Sequence, residues 1–127
     1  MERVVTQIEL LFARGGRRSR GFLRIGEPWV VSDAQARCEI EIDAPGVLEL
    51  RQAISGGDTF QALLLAIRFL ATMLTHYQRK GLEVLDLEGD RWPMEAYFGA
   101  LALETPRPMS RIRFEPRLGR ARPRRRR

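Results

Sequence analysis

A chain of 127 residues, 44% of them hydrophobic, has room for one domain with a real core. Its single cysteine, Cys38, excludes an internal disulfide framework, and with only one histidine beside it a thiolate–imidazole zinc site lacks ligands. The net charge of +6 is unevenly spread: residues 107–127 hold ten arginines against one glutamate, whereas residues 1–106 hold twelve basic against fifteen acidic side chains, so the body of the chain is mildly acidic.

Val4 to Ala13 alternates, with Val4, Thr6, Ile8, Leu10 and Phe12 on one face and Gln7 and Glu9 on the other, which predicts a half-buried strand. Gly15-Gly16 makes a turn, and Ser19 to Ile25 is the hairpin partner. Trp29-Val30-Val31 reads as a short apolar patch before a loop at Ser32 to Gln35. Ala36 to Ile42 is the cleanest strand: Ala36, Cys38, Ile40 and Ile42 point in, Arg37, Glu39 and Glu41 point out. A turn with Pro45 and Gly46 leads into a fourth strand, Val47 to Ile54. Glu49 and Arg51 are expected to meet opposite charges on the strand before.

Asp58 to Gly81 predicts one long helix over about residues 59–80. Asp58 is the N-cap, and Gln61 stands where a capping-box partner reaches back to the Asp58 N–H. Gly81 is the expected left-handed C′ residue, with Arg79 and Lys80 at the negative end of the dipole. Phe60, Leu63, Leu64, Ile67, Leu70, Ala71 and Leu74 form one broad apolar face and are the expected core contacts. Ala62, Ala66, Phe69 and Met73 make a second apolar flank, and Leu65 interrupts the polar stripe, so more than one side needs covering. Arg68 argues against a membrane span.

Leu82 to Leu87 is a candidate fifth strand, Asp86 to Asp90 a polar turn, and Trp92-Pro93 opens a short helix expected to run through Leu103. Trp92, Tyr97 and Phe98 are candidates to lie over the open flank of the long helix. Ile112 and Phe114 alternate with arginines as a short edge strand would, and disorder is expected beyond Pro116. The expected architecture is α+β: an antiparallel sheet of four to five strands packed on one long helix, with residues 1–104 as the domain and 105–127 as an arginine-rich tail.

Gly57-Asp58-Thr59-Phe60-Gln61-Ala62-Leu63-Leu64-Leu65-Ala66 resembles the helix start of a family of small bacterial proteins grouped only as a domain of unknown function. Gly89-Asp90-Arg91-Trp92-Pro93 is similar to that family's closing segment, while Ala36 stands where its Trp-x-Cys strand motif carries tryptophan. The resemblance spans roughly residues 4–98 and omits the tail. It implies a fold and boundaries and carries no activity.

Catalytic chemistry finds no complete set. His76 has no nucleophile or orienting acid in a companion motif. Cys38 on an inward strand face reads as a small buried apolar group. Asp86, Glu88 and Asp90 alternate as in part of a calcium loop, without its remaining ligands. Glu39, Glu41 and Glu49 are interleaved with Arg37 and Arg51 and read as ion pairs. Gly15-Gly16 and Gly56-Gly57 lack the spacing of a phosphate loop.

The expected function is therefore non-catalytic: a module that binds a protein partner, of an immunity type by analogy, or a second copy of itself. Leu65, Phe69, Met73 and Trp92 are its candidate contacts, and neither cofactor nor metal is expected. The alternative is sequence-independent nucleic-acid association through Arg117, Arg120, Arg122, Arg124 and Arg125, without aromatic interleaving for base stacking. The opening residues MERVVTQIELLFARGG lack a basic segment followed by a continuous apolar run, so a cytoplasmic location is expected.

Overall fold

The backbone of β4, Gln35–Ala44, is the hub of the sheet in the computed structural model, which describes Met1 and residues 3–99. The chain before it forms β1 (Val4–Arg14), β2 (Arg17–Gly26) and β3 (Trp29–Ser32); after it come β5 (Leu48–Gly56), α1 (Thr59–Arg79), β6 (Glu83–Leu85) and α2 (Met94–Phe98). The fold is α+β, and the six strands form one antiparallel sheet. β5 runs along the whole of β4, from Ala36 opposite Gly56 to Ala44 opposite Leu48. The other edge of β4 is shared: β2 takes residues 40–43 and β3 takes 35–37. β1 lies beyond β2, and β6 beyond β1.

Local chemistry sets the turns. Gly15 (φ 60°) and Gly16 (φ 82°) supply the two positive angles that a type I′ hairpin needs between Arg14 and Arg17. Pro45 followed by Gly46 at φ 79° turns β4 into β5, closed by the Val47 N–H on the Ala44 carbonyl at 2.9 Å.

One sheet face is apolar. In register across the strands stand Leu10 and Phe12 on β1, Leu23 on β2, Cys38, Ile40 and Ile42 on β4, all buried. α1 packs on this face over β4 and β5. Its start is capped as expected: the Asp58 carboxylate accepts from the Gln61 N–H at 2.8 Å. Gln61, however, reaches back one residue further than a standard capping box, accepting from the Gly57 N–H at 2.6 Å. The end is a Schellman closure. Gly81 at φ 102° donates to the Gln78 carbonyl, and Leu82 donates to that of Tyr77.

The helix face in the core differs from the expected one. Ala62, Ala66, Leu70, Ala71 and Leu74 are buried, whereas Phe60 is 71% exposed and Leu64 49%. The cause is close approach. Gly56 of β5 lies directly beneath Ala62, so near that a Cβ on Gly56 would stand 2.6 Å from the Ala62 nitrogen. Small residues facing each other bring helix and sheet backbones together, and the large side chains are turned onto the flanks.

Three further expectations are corrected. Trp29–Ser32 is a strand, held by Trp29 opposite Arg37 and Val30 opposite Ala36, so among the described residues the sheet has six strands rather than four or five. Arg51 does bind the Glu39 carboxylate at 3.1 Å, but Glu49 faces Asp43, a like charge. The short helix after Trp92 covers Met94–Phe98. The rest of its expected span, with the Ile112–Phe114 strand and the domain boundary at 104, lies outside the described residues. α1 is long and apolar enough to cross a membrane by length and composition alone, but one of its faces forms part of the core.

Candidate interaction surface

The candidate chemical groups do not converge. Cys38 is fully buried and its Sγ–H donates to the Gly26 carbonyl at 3.3 Å. Burial pushes the thiol pKa up, with the nearby Glu39 charge adding to it, so the nucleophilic thiolate is disfavoured at neutral pH. His76 is exposed near the end of α1 and stands edge-on to Tyr77 at 5.0 Å.

Asp86, Glu88 and Asp90 bring three carboxylates within 4.8 Å and are the described residues best placed to hold a cation. Asp86 Oδ1 is already used, since it accepts from the backbone N–H of Glu88 and of Asp90 at 2.9 Å each. That is the geometry of an Asx turn, in which the side chain replaces a backbone turn partner. On the open sheet face the expected ion pairing is seen for Glu39, bound by Arg51, and for Glu41, bound by Arg24, but not for Glu49. Arg24 bonds Glu41 (3.1 Å), Asp43 (3.0 Å) and Gln7 (2.9 Å) and lies over the Phe22 ring. Asp43, and then Glu41, raise the Arg24 pKa further above its ordinary value, so this arginine stays charged and tied down.

Between the end of α1 and the α2 segment is a cleft of about 290 Å³ lined by Thr75, Gln78, Arg79, Arg91, Trp92, Met94 and Glu95. Its rim carries the Arg91–Glu95 pair at 2.8 Å. Trp92 is 4% exposed, lies tilted against the Tyr97 ring at 4.4 Å and meets Phe98 edge to face at 6.2 Å. It belongs to the core, which removes it from the expected contact set. Its backbone N–H donates to the Val84 carbonyl at 3.0 Å, hanging this segment on the β6 side of the sheet.

That anchor orients α1. At about 100° per residue, Leu64, Thr75 and Gln78 share one flank and Leu65, Phe69 and Met73 share the opposite one. Thr75 and Gln78 face the Trp92 segment. Phe60 and Leu64 therefore overhang the β2–β3 side of the sheet, where Val30 is 68% exposed on the helix-covered face. Ile8 and Ile25, half-buried, continue that apolar floor.

Leu65, Phe69 and Met73 are half-buried on the flank that faces β5. Arg117, Arg120, Arg122, Arg124 and Arg125 lie outside the described residues. The exposure of Phe60 and Leu64 is not read from the sequence, because a count of apolar residues favours the stripe with the largest side chains. The signal that could have found it is Ala62 and Ala66 following Gly56: small residues mark the close contact. Comparison of the chain with protein-family models, with curated proteins and with solved structures finds no match.

Proposed function

We propose that this chain acts by contact with another protein rather than by turning over a small molecule. The supporting observation is that three large apolar side chains, Phe60 and Leu64 on one flank of α1 and Val30 on the helix-covered sheet face, stay 71%, 49% and 68% exposed next to the buried core. Exposed apolar residues scattered singly need no explanation, but a cluster on one flank over a half-buried floor is the anatomy of an interface. Membership of the uncharacterised bacterial family that residues 57–66 resemble, and a cytoplasmic setting, belong to the same proposal.

The arginine-rich stretch 107–127 supports a second reading, in which ten arginines give salt-dependent, sequence-independent association with nucleic acid.

The contact reading is tested with Phe60→Asp in the full chain. The expected outcome is a melting temperature within about 2 °C of the parent, together with loss of the protein, other than a second copy of the chain, that cross-links to the parent at native abundance. A melting temperature lower by many degrees with unchanged cross-links would put Phe60 inside the chain's own packing and overturn the reading.

A further inference from the structure

β5 is an open edge. Among the described residues it pairs only with β4, over nine residues and without a register shift. Natural edge strands are protected by shortness, a bulge, a proline or an inward-pointing charge. β6 is three residues long, and β3 is four and carries a bulge between Val30 and Ser32. β5 is nine residues long with no bulge and no proline, its outward charges Glu49 and Arg51 are of opposite sign, and the side chains it turns toward the helix, Leu48, Leu50, Gln52 and Ile54, are all uncharged.

We infer that the occupant of this edge is a second copy of the chain, paired antiparallel through β5 about a two-fold axis at Leu50. Three observations carry it. The first is charge. An antiparallel two-fold at Leu50 places Glu49 opposite Arg51 of the second copy, and Arg51 opposite its Glu49, on the same sheet face; the strand is self-complementary, as an isologous contact requires. It also gives Glu49 the opposite charge that Asp43 does not provide within one chain.

The second is distance. α1 packs over β4 and β5 alike, so its axis lies near the line between them. Strands are about 4.8 Å apart, so continuing the sheet through two β5 strands sets the two helix axes roughly two spacings, or 9.6 Å, apart. Packed helices stand about 8–10 Å apart. The third is surface. The α1 flank facing β5 carries Leu65, Phe69 and Met73 at four-residue steps, half-buried in one copy. In the pair these stripes meet, and the edge and the apolar flank are covered together. This surface is separate from the one at Phe60 and Leu64.

The test is the mass of the full chain in solution, by sedimentation equilibrium across a concentration series. The expected result is a species of twice 14.6 kDa. Arg51→Glu sets like charges opposite each other twice and is expected to weaken the pair about tenfold or more. The double variant Glu49→Arg, Arg51→Glu restores the complement and is expected to recover most of the affinity. Circular dichroism of each variant shows that the fold survives. Phe69→Lys, on the helix flank, is expected to dissociate the pair without touching the strand.

A 14.6 kDa species at every concentration overturns the inference. So does a monomer whose β5 amides resist hydrogen exchange, because another segment then covers the edge. A dimer indifferent to all these variants overturns it as well, since the contact then lies elsewhere. None of these results bears on the Phe60 cross-link, so the two readings fail separately.

Discussion

Replacing Phe12 with alanine is expected to lower the free energy of unfolding by about 3–5 kcal/mol. Phe12 is fully buried on β1, between Ser19 of β2 and Val84 of β6, and is the largest of the fully buried side chains. Its neighbours on the same face, Leu10 and Val84, are anchored in strands and cannot collapse into the space it leaves. A domain of this size commonly has about 5–15 kcal/mol in all, so the variant retains little margin. Denaturant unfolding reads the loss as a lower midpoint at unchanged slope. A loss under about 1 kcal/mol would mean that the site closes up, or that Phe12 is not at the centre of the core.

Gly56→Ala is informative through its sign. In an ordinary strand the change removes glycine's entropy cost and gains about 0.5–1 kcal/mol. Here the new Cβ would meet the Ala62 nitrogen at 2.6 Å and the Ala62 Cα at 2.9 Å, both backbone atoms at the start of α1. The helix must lift, so the expected effect is a loss of about 1–3 kcal/mol. Gly57→Ala is the control. Its Cβ would meet only the Gln61 side-chain oxygen at 3.2 Å, the end of a flexible group. Thermal melts of the pair decide the matter: a stabilised Gly56→Ala would contradict the close packing of helix on sheet.

These two sites also mark what the sequence makes legible. The strands at Val4–Arg14 and Gln35–Ala44 are readable because alternation is a local signal and their register keeps it. The ends of α1 are readable because Asp58 and Gly81 do their work on the adjacent backbone. The rotation of α1 about its own axis is not local. It depends on Gly56 meeting Ala62 across two elements, and a pattern of large apolar residues points to the wrong stripe.

β3 was similarly hidden. Trp29-Val30-Val31 has no alternation, and pairing with Gln35–Arg37 defines it. Trp92, expected as a contact on the open flank of the helix, lies in the core, with its backbone N–H bonded to Val84. The candidate surface was thus legible in kind, an apolar excess on α1, but not in place.

Leu64 faces water while the sheet interior, with Cys38 in it, stays closed. Thiol titration of the full-length Leu64→Cys variant, with Cys38 retained, measures both at once. One thiol per native chain is expected to react with Ellman's reagent at nearly the rate of a free thiol, and the second, Cys38, only on unfolding. Two unreactive thiols in the native chain would contradict it.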